Sequence, residues 1–195
     1  MDSVKTGLFF GSFNPVHTGH LIIAQHFVEQ TDMDQVWFVL SPQNPFKKDT
    51  ELLDENGRRE LLELAIQGNP AFALCDAELT MSRPSYTIRT VKYLMNNHPG
   101  RDFRLIIGSD NLEDFHQWKD YRELMDLVPI VVYPRPGVVD PPHLSHPRVT
   151  LIDAPLLQIS SSNIRQQIAS GKSPRYLLPD KVLNTISARA YYKGS

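Results

Sequence analysis

The sequence contains little that would support a secreted, membrane-spanning or nucleic-acid-binding protein. It has one cysteine among 195 residues, which excludes an internal disulfide. No apolar run approaches the roughly 20 residues that cross a bilayer, and no basic region followed by an apolar stretch opens the chain. The formal net charge of −2 provides no broad basic surface for nucleic acid or a membrane, although a local basic pocket remains compatible with it. We therefore expect a cytoplasmic protein that binds neither.

Apolar segments typical of strands alternate with helical patterns along the chain. The strand-like segments are continuous rather than alternating, as in a parallel sheet covered on both faces; they are Gly7–Phe10, Val36–Leu40, Phe72–Leu74, Leu105–Ile107, Ile130–Tyr133 and Val149–Ile152. Helical patterns fall at Leu21–Val28, Leu61–Ile66, Ile88–Met95 and Lys181 to about Ala190. This alternation predicts a doubly wound, Rossmann-like α/β fold with a parallel sheet. We expect a single domain over residues 1–195, with a helical C-terminal portion at about 161–192.

The segment Gly7–Leu21 carries the strongest functional signal in the chain. It places an apolar strand, a turn at Gly11 and two histidines, His17 and His20, before a helix. A glycine turn lets backbone N–H groups approach a phosphate closely, and residues i and i+3 lie on one face once a helix has begun. The alternative is a plain strand–turn–helix with two surface histidines. The combined pattern GxFxPxHxGH favours phosphate binding.

A second chemical cluster, Ile159–Arg165, follows a strand and opens a helix. Taken alone, its serines are ordinary helix N-caps. Arg165 in the first turn opposes the helix dipole, and a bound anion would relieve that opposition because a guanidinium holds two phosphate oxygens. The cluster is therefore compatible with a phosphate site and with simple helix capping.

These two clusters resemble the phosphate-binding motifs of the nucleotidyltransferase superfamily, GxFxPxHxGH and an ISSTxIR-like sequence. Further elements resemble those of bacterial nicotinate-nucleotide adenylyltransferases. Arg83–Thr87 is similar to the SYT element of that family, Gly108–Gly137 to its GxD…W…RPG stretch, and Ser41–Lys47 to its proline–lysine loop. The resemblance extends from Leu8 to about Arg165, nearly the whole chain.

The resemblance implies adenylyl transfer from ATP to nicotinate mononucleotide, giving nicotinate adenine dinucleotide and pyrophosphate in NAD biosynthesis. It implies Mg²⁺ held mainly by the ATP phosphates, with no metal site of the protein's own. The catalytic residues it implies are His17, His20 and Arg165. The ATP-binding residues it implies are Gly11, Ser12, Phe13, His17, His20, Gly108, Asp110, Ile159, Ser160, Ser161, Ser162 and Arg165. The residues it implies for the acceptor substrate are Asn44, Lys47, Ser85, Tyr86, Thr87, Asp110, Trp118, Lys119 and Arg135.

Several of these residues also have an ordinary structural interpretation. Asp110 follows a strand end, where it would accept a hydrogen bond from a ribose hydroxyl or cap a helix. Trp118 and Tyr86 offer flat surfaces for a pyridine or adenine ring, or pack in the core. Lys47 and Arg135 would hold phosphate or remain solvated loop charges.

Two departures from the family pattern and several alternatives stay open. Phe10 stands where many members have a second glycine, and Asn14 where they have aspartate; we expect both to be compatible with activity. The alternative functions are another superfamily enzyme, such as a phosphopantetheine or nicotinamide mononucleotide adenylyltransferase, and a non-catalytic nucleotide-sensing module. The proline-rich segments Ser41–Phe46 and Tyr133–Pro147 are candidate lids, and a homo-oligomer is compatible with the sequence.

Overall fold

The computed structural model describes residues 3–42, 52–138 and 140–193, and these form one domain around a six-stranded sheet. All the strand pairs are parallel, and the strand order is β3-β2-β1-β4-β5-β6. The strands are β1 (Val4–Gly11), β2 (Gln35–Leu40), β3 (Phe72–Cys75), β4 (Arg101–Gly108), β5 (Ile130–Tyr133) and β6 (Val149–Leu151). Each coincides with one predicted segment, so the doubly wound α/β fold is confirmed.

The helices lie between the strands and after the last of them. They are α1 (Thr18–Gln30), α2 (Glu55–Ile66), α3 (Ala77–Thr80), α4 (Thr87–Asn97), α5 (Ser109–Glu113), α6 (Tyr121–Leu127), α7 (Ser161–Ala169) and α8 (Asp180–Ala188), with a 3₁₀ turn at Phe115–Gln117. The sequence pattern did not predict α3, α5 or α6, because helices of four to seven residues are too short to show a helical period. Among the helices of the described part of the chain, none is long and apolar enough to span a membrane.

Successive residues of the central strands pack into two different cores. In β4, Leu105 and Ile107 join a core with α4 and α6 on one face, whereas Ile106 joins a core with α1, α2 and α8 on the other. In β1, Leu8 packs into the core with α4 and α6, and Phe9 packs into the core with α1, α2 and α8; both are buried. Because side chains alternate between the faces of a strand, two covered faces require the continuous apolar runs seen in the sequence.

The strand order places the ligand-binding edge of the sheet between β1 and β4. Strand β1 pairs with β2 on one side and with β4 on the other, so the direction of winding reverses there. Ligands of open α/β sheets bind at this switch point, beyond the carboxyl ends of the strands. Gly11 ends β1 and Gly108 ends β4, so both glycines lie at this edge.

Candidate active site

A cavity of about 1110 Å³ opens at this edge and collects most of the site residues predicted from the sequence. Gly108 is described by the structure but is not part of the lining, and the predicted residues Asn44 and Lys47 lie outside the described residues. The predicted residues that line the cavity are Gly11, Ser12, Phe13, His17, His20, Ser85, Tyr86, Thr87, Asp110, Trp118, Lys119, Arg135, Ile159, Ser160, Ser161, Ser162 and Arg165.

The loop after β1 turns later than the sequence indicated. Gly11 is the last residue of the strand, and the left-handed backbone is at Phe13, with a φ of 44°. A Cβ atom at position 11 would lie 2.9 Å from Cζ of Phe13, closer than carbon atoms pack. The glycine is therefore needed to admit the Phe13 ring beneath the loop, and the turn itself is made by the residues that follow.

The Asn14 side chain anchors this loop. Asn14 is buried, and its Oδ1 accepts hydrogen bonds from the backbone N–H of Leu53 at 3.2 Å and from the Tyr192 hydroxyl at 2.9 Å. An aspartate would accept the same two bonds. The departure from the family pattern at this position therefore preserves the anchoring, and activity with Asn14 stays a prediction.

The two histidines begin α1 as a stacked pair. His17 is the N-cap residue, and its ring centroid lies 3.7 Å from that of His20 with an angle of 21° between the planes. The backbone N–H of His17 donates to Nδ1 of His20 at 3.2 Å. Because Nδ1 accepts, a neutral His20 ring carries its proton on Nε2.

Both imidazoles are held in the neutral form. Burial, together with the positive charge of Arg135, lowers the pKa of His17 from 6.5 to about 4. Burial and the neighbouring His17 and Arg135 lower the pKa of His20 well below its ordinary value. The pair therefore presents N–H donors near neutral pH without bearing a positive charge of its own, and Arg135 is the cation that faces it.

The first turn of α7 is fastened to the loop that precedes α1. Ser160 caps the helix by accepting from the N–H of Asn163 at 3.2 Å. The Ser161 hydroxyl donates to the carbonyl of Pro15 at 2.9 Å, and Arg165 Nη1 donates to the carbonyl of Asn14 at 2.8 Å. Ser160 therefore caps α7, whereas Ser161 and Arg165 join this motif to the histidine motif. The buried Arg165 has a backbone partner that offsets its unfavourable place near a helix N-terminus.

The end of β4 brings Asp110 and Arg135 together at the cavity wall. Arg135 Nε lies 3.7 Å from Asp110 Oδ2, and the backbone N–H of Arg135 donates to the Ser109 hydroxyl at 2.8 Å. A Cβ atom at position 108 would collide with the Asp110 carboxyl and lie 3.0 Å from Cγ of Arg135. The absence of a side chain at Gly108 therefore leaves room for the Asp110 and Arg135 side chains at the end of β4.

A third helix, α4, opens toward the cavity at the SYT element. Its N-cap residue Tyr86 makes no side-chain capping hydrogen bond, and the first N–H groups of a helix have no acceptor within it. Thr87 is the first residue of α4 and lines the cavity, so its backbone N–H is a candidate donor to a ligand there. The backbone N–H of Trp118 donates to the Phe115 carbonyl at 3.0 Å, so Trp118 offers its ring rather than that N–H. Lys119 contributes an exposed side chain 3.4 Å from Asp120.

Sequence reasoning missed three polar residues that support the cavity. Ser41 directly follows β2 and Glu78 lies just beyond β3, and both residues line the cavity. The rule that ligands bind beyond strand ends would have found these two. Arg58 is fully buried in α2 and shows no sequence signal, because its pattern is that of an ordinary amphipathic helix.

In the described residues, no group of three or more His, Cys, Asp or Glu side chains is placed to hold a metal ion. Asp110, one of the carboxylates that line the cavity, is paired with Arg135. This donor set fits a divalent cation whose ligands are the phosphates of a bound nucleotide and water.

Comparison with known proteins places the chain in a family. Residues 8–167 match the Cytidylyltransferase-like family model. A Cytophaga hutchinsonii protein named probable nicotinate-nucleotide adenylyltransferase is 46% identical over 98% of this chain and 100% of its own length. A protein of the same name from Bacteroides fragilis is 44% identical, with 95% of this chain and 92% of the relative covered.

Solved structures agree on the fold. A Plasmodium falciparum nicotinic acid mononucleotide adenylyltransferase complexed with NaAD superimposes with a TM-score of 0.81 at 20% identity, over 96% of this chain and 97% of that one. The same enzyme complexed with APC gives a TM-score of 0.80 at 19% identity, over 96% of each chain. With the family model, the close relatives and the histidine cavity in agreement, the chain belongs to the nicotinate-nucleotide adenylyltransferases of the cytidylyltransferase-like family.

Proposed function

We propose that this protein transfers the adenylyl group of ATP to nicotinate mononucleotide, forming nicotinate adenine dinucleotide and pyrophosphate. One observation carries the proposal: a single cavity joins the start of α1, with its histidine pair, to the start of α4, whose N-terminal donors are uncapped. Both helix starts favour anions. A triphosphate at the first and a nicotinate carboxylate at the second would bring two nucleotides into one enclosure.

The proposed chemistry needs orientation and charge stabilisation rather than a base. A phosphate oxygen of the acceptor attacks the α-phosphorus, and the bond from that phosphorus to the bridging oxygen breaks with its electron pair leaving on pyrophosphate. His20 would donate from Nε2 to the α-phosphate oxygens, with Arg135 beside it. Arg165 and the serines of α7 would hold the β- and γ-phosphates. Such fixed donors stabilise the charge that develops in the transition state.

Mg²⁺ enters this scheme as part of the substrate. The donor set described above suits a cation bound to the triphosphate, where it would neutralise charge on the phosphate oxygens. Every other interaction with the phosphates is then assigned to the chain itself, through N–H donors and the guanidinium groups of Arg135 and Arg165.

Release of pyrophosphate tests the proposal directly. ATP is incubated with the enzyme and one of three acceptors: nicotinate mononucleotide, nicotinamide mononucleotide or phosphopantetheine. We expect rapid release with nicotinate mononucleotide and formation of nicotinate adenine dinucleotide. Preference for phosphopantetheine would assign the chain to another reaction of the superfamily. Binding of ATP without pyrophosphate release from any acceptor would indicate a nucleotide-sensing protein instead.

A further inference from the structure

Glu78 is a buried carboxyl group in the wall of the active-site cavity. Its relative exposure is 2%, and it lines the cavity beside Ser85, Tyr86 and Thr87. It belongs to the short helix α3, directly after β3. Carboxyl groups are rarely buried this completely unless they are paired or hydrogen-bonded. The scheme described above gives this residue no task.

The carboxyl group is surrounded by hydroxyl donors from different parts of the fold. Thr90 Oγ1 donates to Glu78 Oε1 at 2.7 Å, and the hydroxyls of Ser41 and Ser85 lie close enough to the carboxyl group to lower its pKa. Burial raises the pKa of Glu78, and the hydroxyls of Thr90, Ser41 and Ser85 act in the opposite direction. Burial is the larger effect, so the pKa stays above its ordinary value, and the hydroxyl dipoles offset part of the cost of ionising the buried carboxyl group.

The positions of these donors matter more than their number. Ser85 precedes the N-cap residue Tyr86, and Thr90 lies one turn into α4. Glu78 is therefore bonded to α4 through Thr90 and lies near Ser85, just before the helix. These two residues flank the first turn of α4, which includes the cavity-lining residue Thr87. The same carboxyl group lies near Ser41, the residue after β2, and so connects the start of α4 with the edge of the central sheet.

We propose that Glu78 is a positioning residue that sets the orientation of the first turn of α4 and thereby the affinity and acid selectivity of the acceptor site. The inference rests on the proposed function, because it concerns the site assigned to the nicotinate carboxylate. A carboxylate accepts from two backbone donors, whereas the NH₂ of an amide faces one of them with a donor of its own. Discrimination of this kind requires the donors to stay fixed, since a loose turn adapts to either group.

Thr90 provides the sharpest test, because it is fully buried and does not line the cavity. Thr90→Val keeps the shape of the side chain and removes the hydroxyl bonded to Glu78. Loss of a hydrogen bond to a charged group corresponds to roughly tenfold in an equilibrium constant. We expect KM for nicotinate mononucleotide to rise by about this factor, KM for ATP to stay within about twofold, and the kcat/KM ratio of acid over amide to fall.

The matched control is Thr6→Val. Thr6, in β1, is also a fully buried threonine, and its hydroxyl donates to the Val4 carbonyl and accepts from Arg101 of β4. This variant should lower the melting temperature as Thr90→Val does, with acceptor kinetics unchanged. If both variants lose stability alike and neither changes KM for the acceptor, Glu78 has only a structural role and the inference is overturned.

Glu78→Gln tests the carboxyl group itself at nearly constant volume. Its amide nitrogen cannot accept from a hydroxyl, so we expect the acceptor KM and the acid-to-amide ratio to change at least as much as in Thr90→Val. Unchanged values in this variant would also overturn the inference.

Pyrophosphate release by the wild-type protein with the three acceptors separates the two proposals. If a different acceptor is used, the substrate assignment fails, and the Glu78 inference is then judged on the KM for that acceptor. If no acceptor is used, both fail.

Discussion

The imidazole rings of His17 and His20 stack 3.7 Å apart, and the backbone N–H of His17 fixes the tautomer of His20. This arrangement follows from the helix start, since His17 is the N-cap residue and His20 the third residue of α1. Its consequence is a neutral pair in which the Nε2–H of His20 is oriented before any ligand arrives. Preorganised donors of this kind lower a barrier without reorganising during the reaction.

Replacement of His20 by alanine should lower kcat by about 10²- to 10³-fold, the usual loss for one donor that stabilises transition-state charge. KM for the acceptor should change much less. His26→Ala is the control, because His26 is on the same helix but bonds the Asp153 carbonyl and does not line the cavity. Pyrophosphate release measures both variants. Near-wild-type turnover in His20→Ala would remove His20 from the phosphate site.

Arg165→Lys should raise KM for ATP by about tenfold, because lysine keeps the charge but loses the two-oxygen fork. Arg165 also donates to the Asn14 carbonyl, so thermal unfolding must be measured beside the kinetics. Arg175→Lys, at an exposed arginine over the Tyr176 ring, serves as the control. A lower melting temperature with unchanged ATP kinetics would assign Arg165 to joining the two motifs and nothing more.

Selectivity for the acid over the amide should survive Lys119→Ala. The Lys119 ammonium group is about half exposed and lies near Asp120, which makes it a weak partner for a buried carboxylate. Backbone donors near Thr87 are expected to carry the discrimination. The measurement is kcat/KM for nicotinate and nicotinamide mononucleotide in wild type and variant. Equal efficiencies in the wild type would contradict acid selectivity, and their equalisation only in the variant would assign it to Lys119.

Stability should fall as the pH is lowered from 7 to 5. The pKa of His17 is about 4 in the folded protein and about 6.5 when unfolded. Between these values only the unfolded chain binds the proton, so protonation favours unfolding. At pH 5 the loss from His17 is about 2 kcal/mol. Urea unfolding of wild type and His17→Gln at pH 7 and pH 5 measures this difference, and an equal loss in both proteins would contradict it.

Arg58→Lys should destabilise the protein by about 3 kcal/mol, lowering Tm by about 10 °C. Arg58 is fully buried and donates at 2.7 to 2.9 Å to four backbone carbonyls, those of Ser12, Ser41, Pro42 and Leu53. A lysine cannot reach all four.

The neighbouring Arg59 supplies the control for this change. Arg59 is exposed and pairs with Glu63 and Asp76 at the surface, where such pairs contribute about 1 kcal/mol or less. Calorimetry should therefore give clearly different melting temperatures for Arg58→Lys and Arg59→Lys. Similar melting temperatures for the two variants would show that the carbonyl contacts of Arg58 contribute little.

The sequence by itself determined the sheet, the position of the site and the family. Two-sided burial requires continuous apolar strands, so all six segments, including β4 around Leu105–Ile107, were visible without a structure. The histidine motif and the Ile159–Arg165 cluster were visible too, because phosphate binding by a helix start is a local property of a few consecutive residues. The short helices α3, α5 and α6 were not predicted, because they are too short to show a helical period in the sequence.

Only the tertiary structure decided how the site is held. Arg58 meets the Ser12 carbonyl from 46 positions away, and Arg165 meets that of Asn14 from 151 positions away. Glu78 accepts from the Thr90 hydroxyl of α4 and lies near that of Ser41, the residue after β2. Backbone carbonyls and ordinary hydroxyls occur along the whole chain, so no sequence pattern distinguishes the few that will become partners. Burial makes those pairings obligatory, and burial depends on the complete packing of the fold.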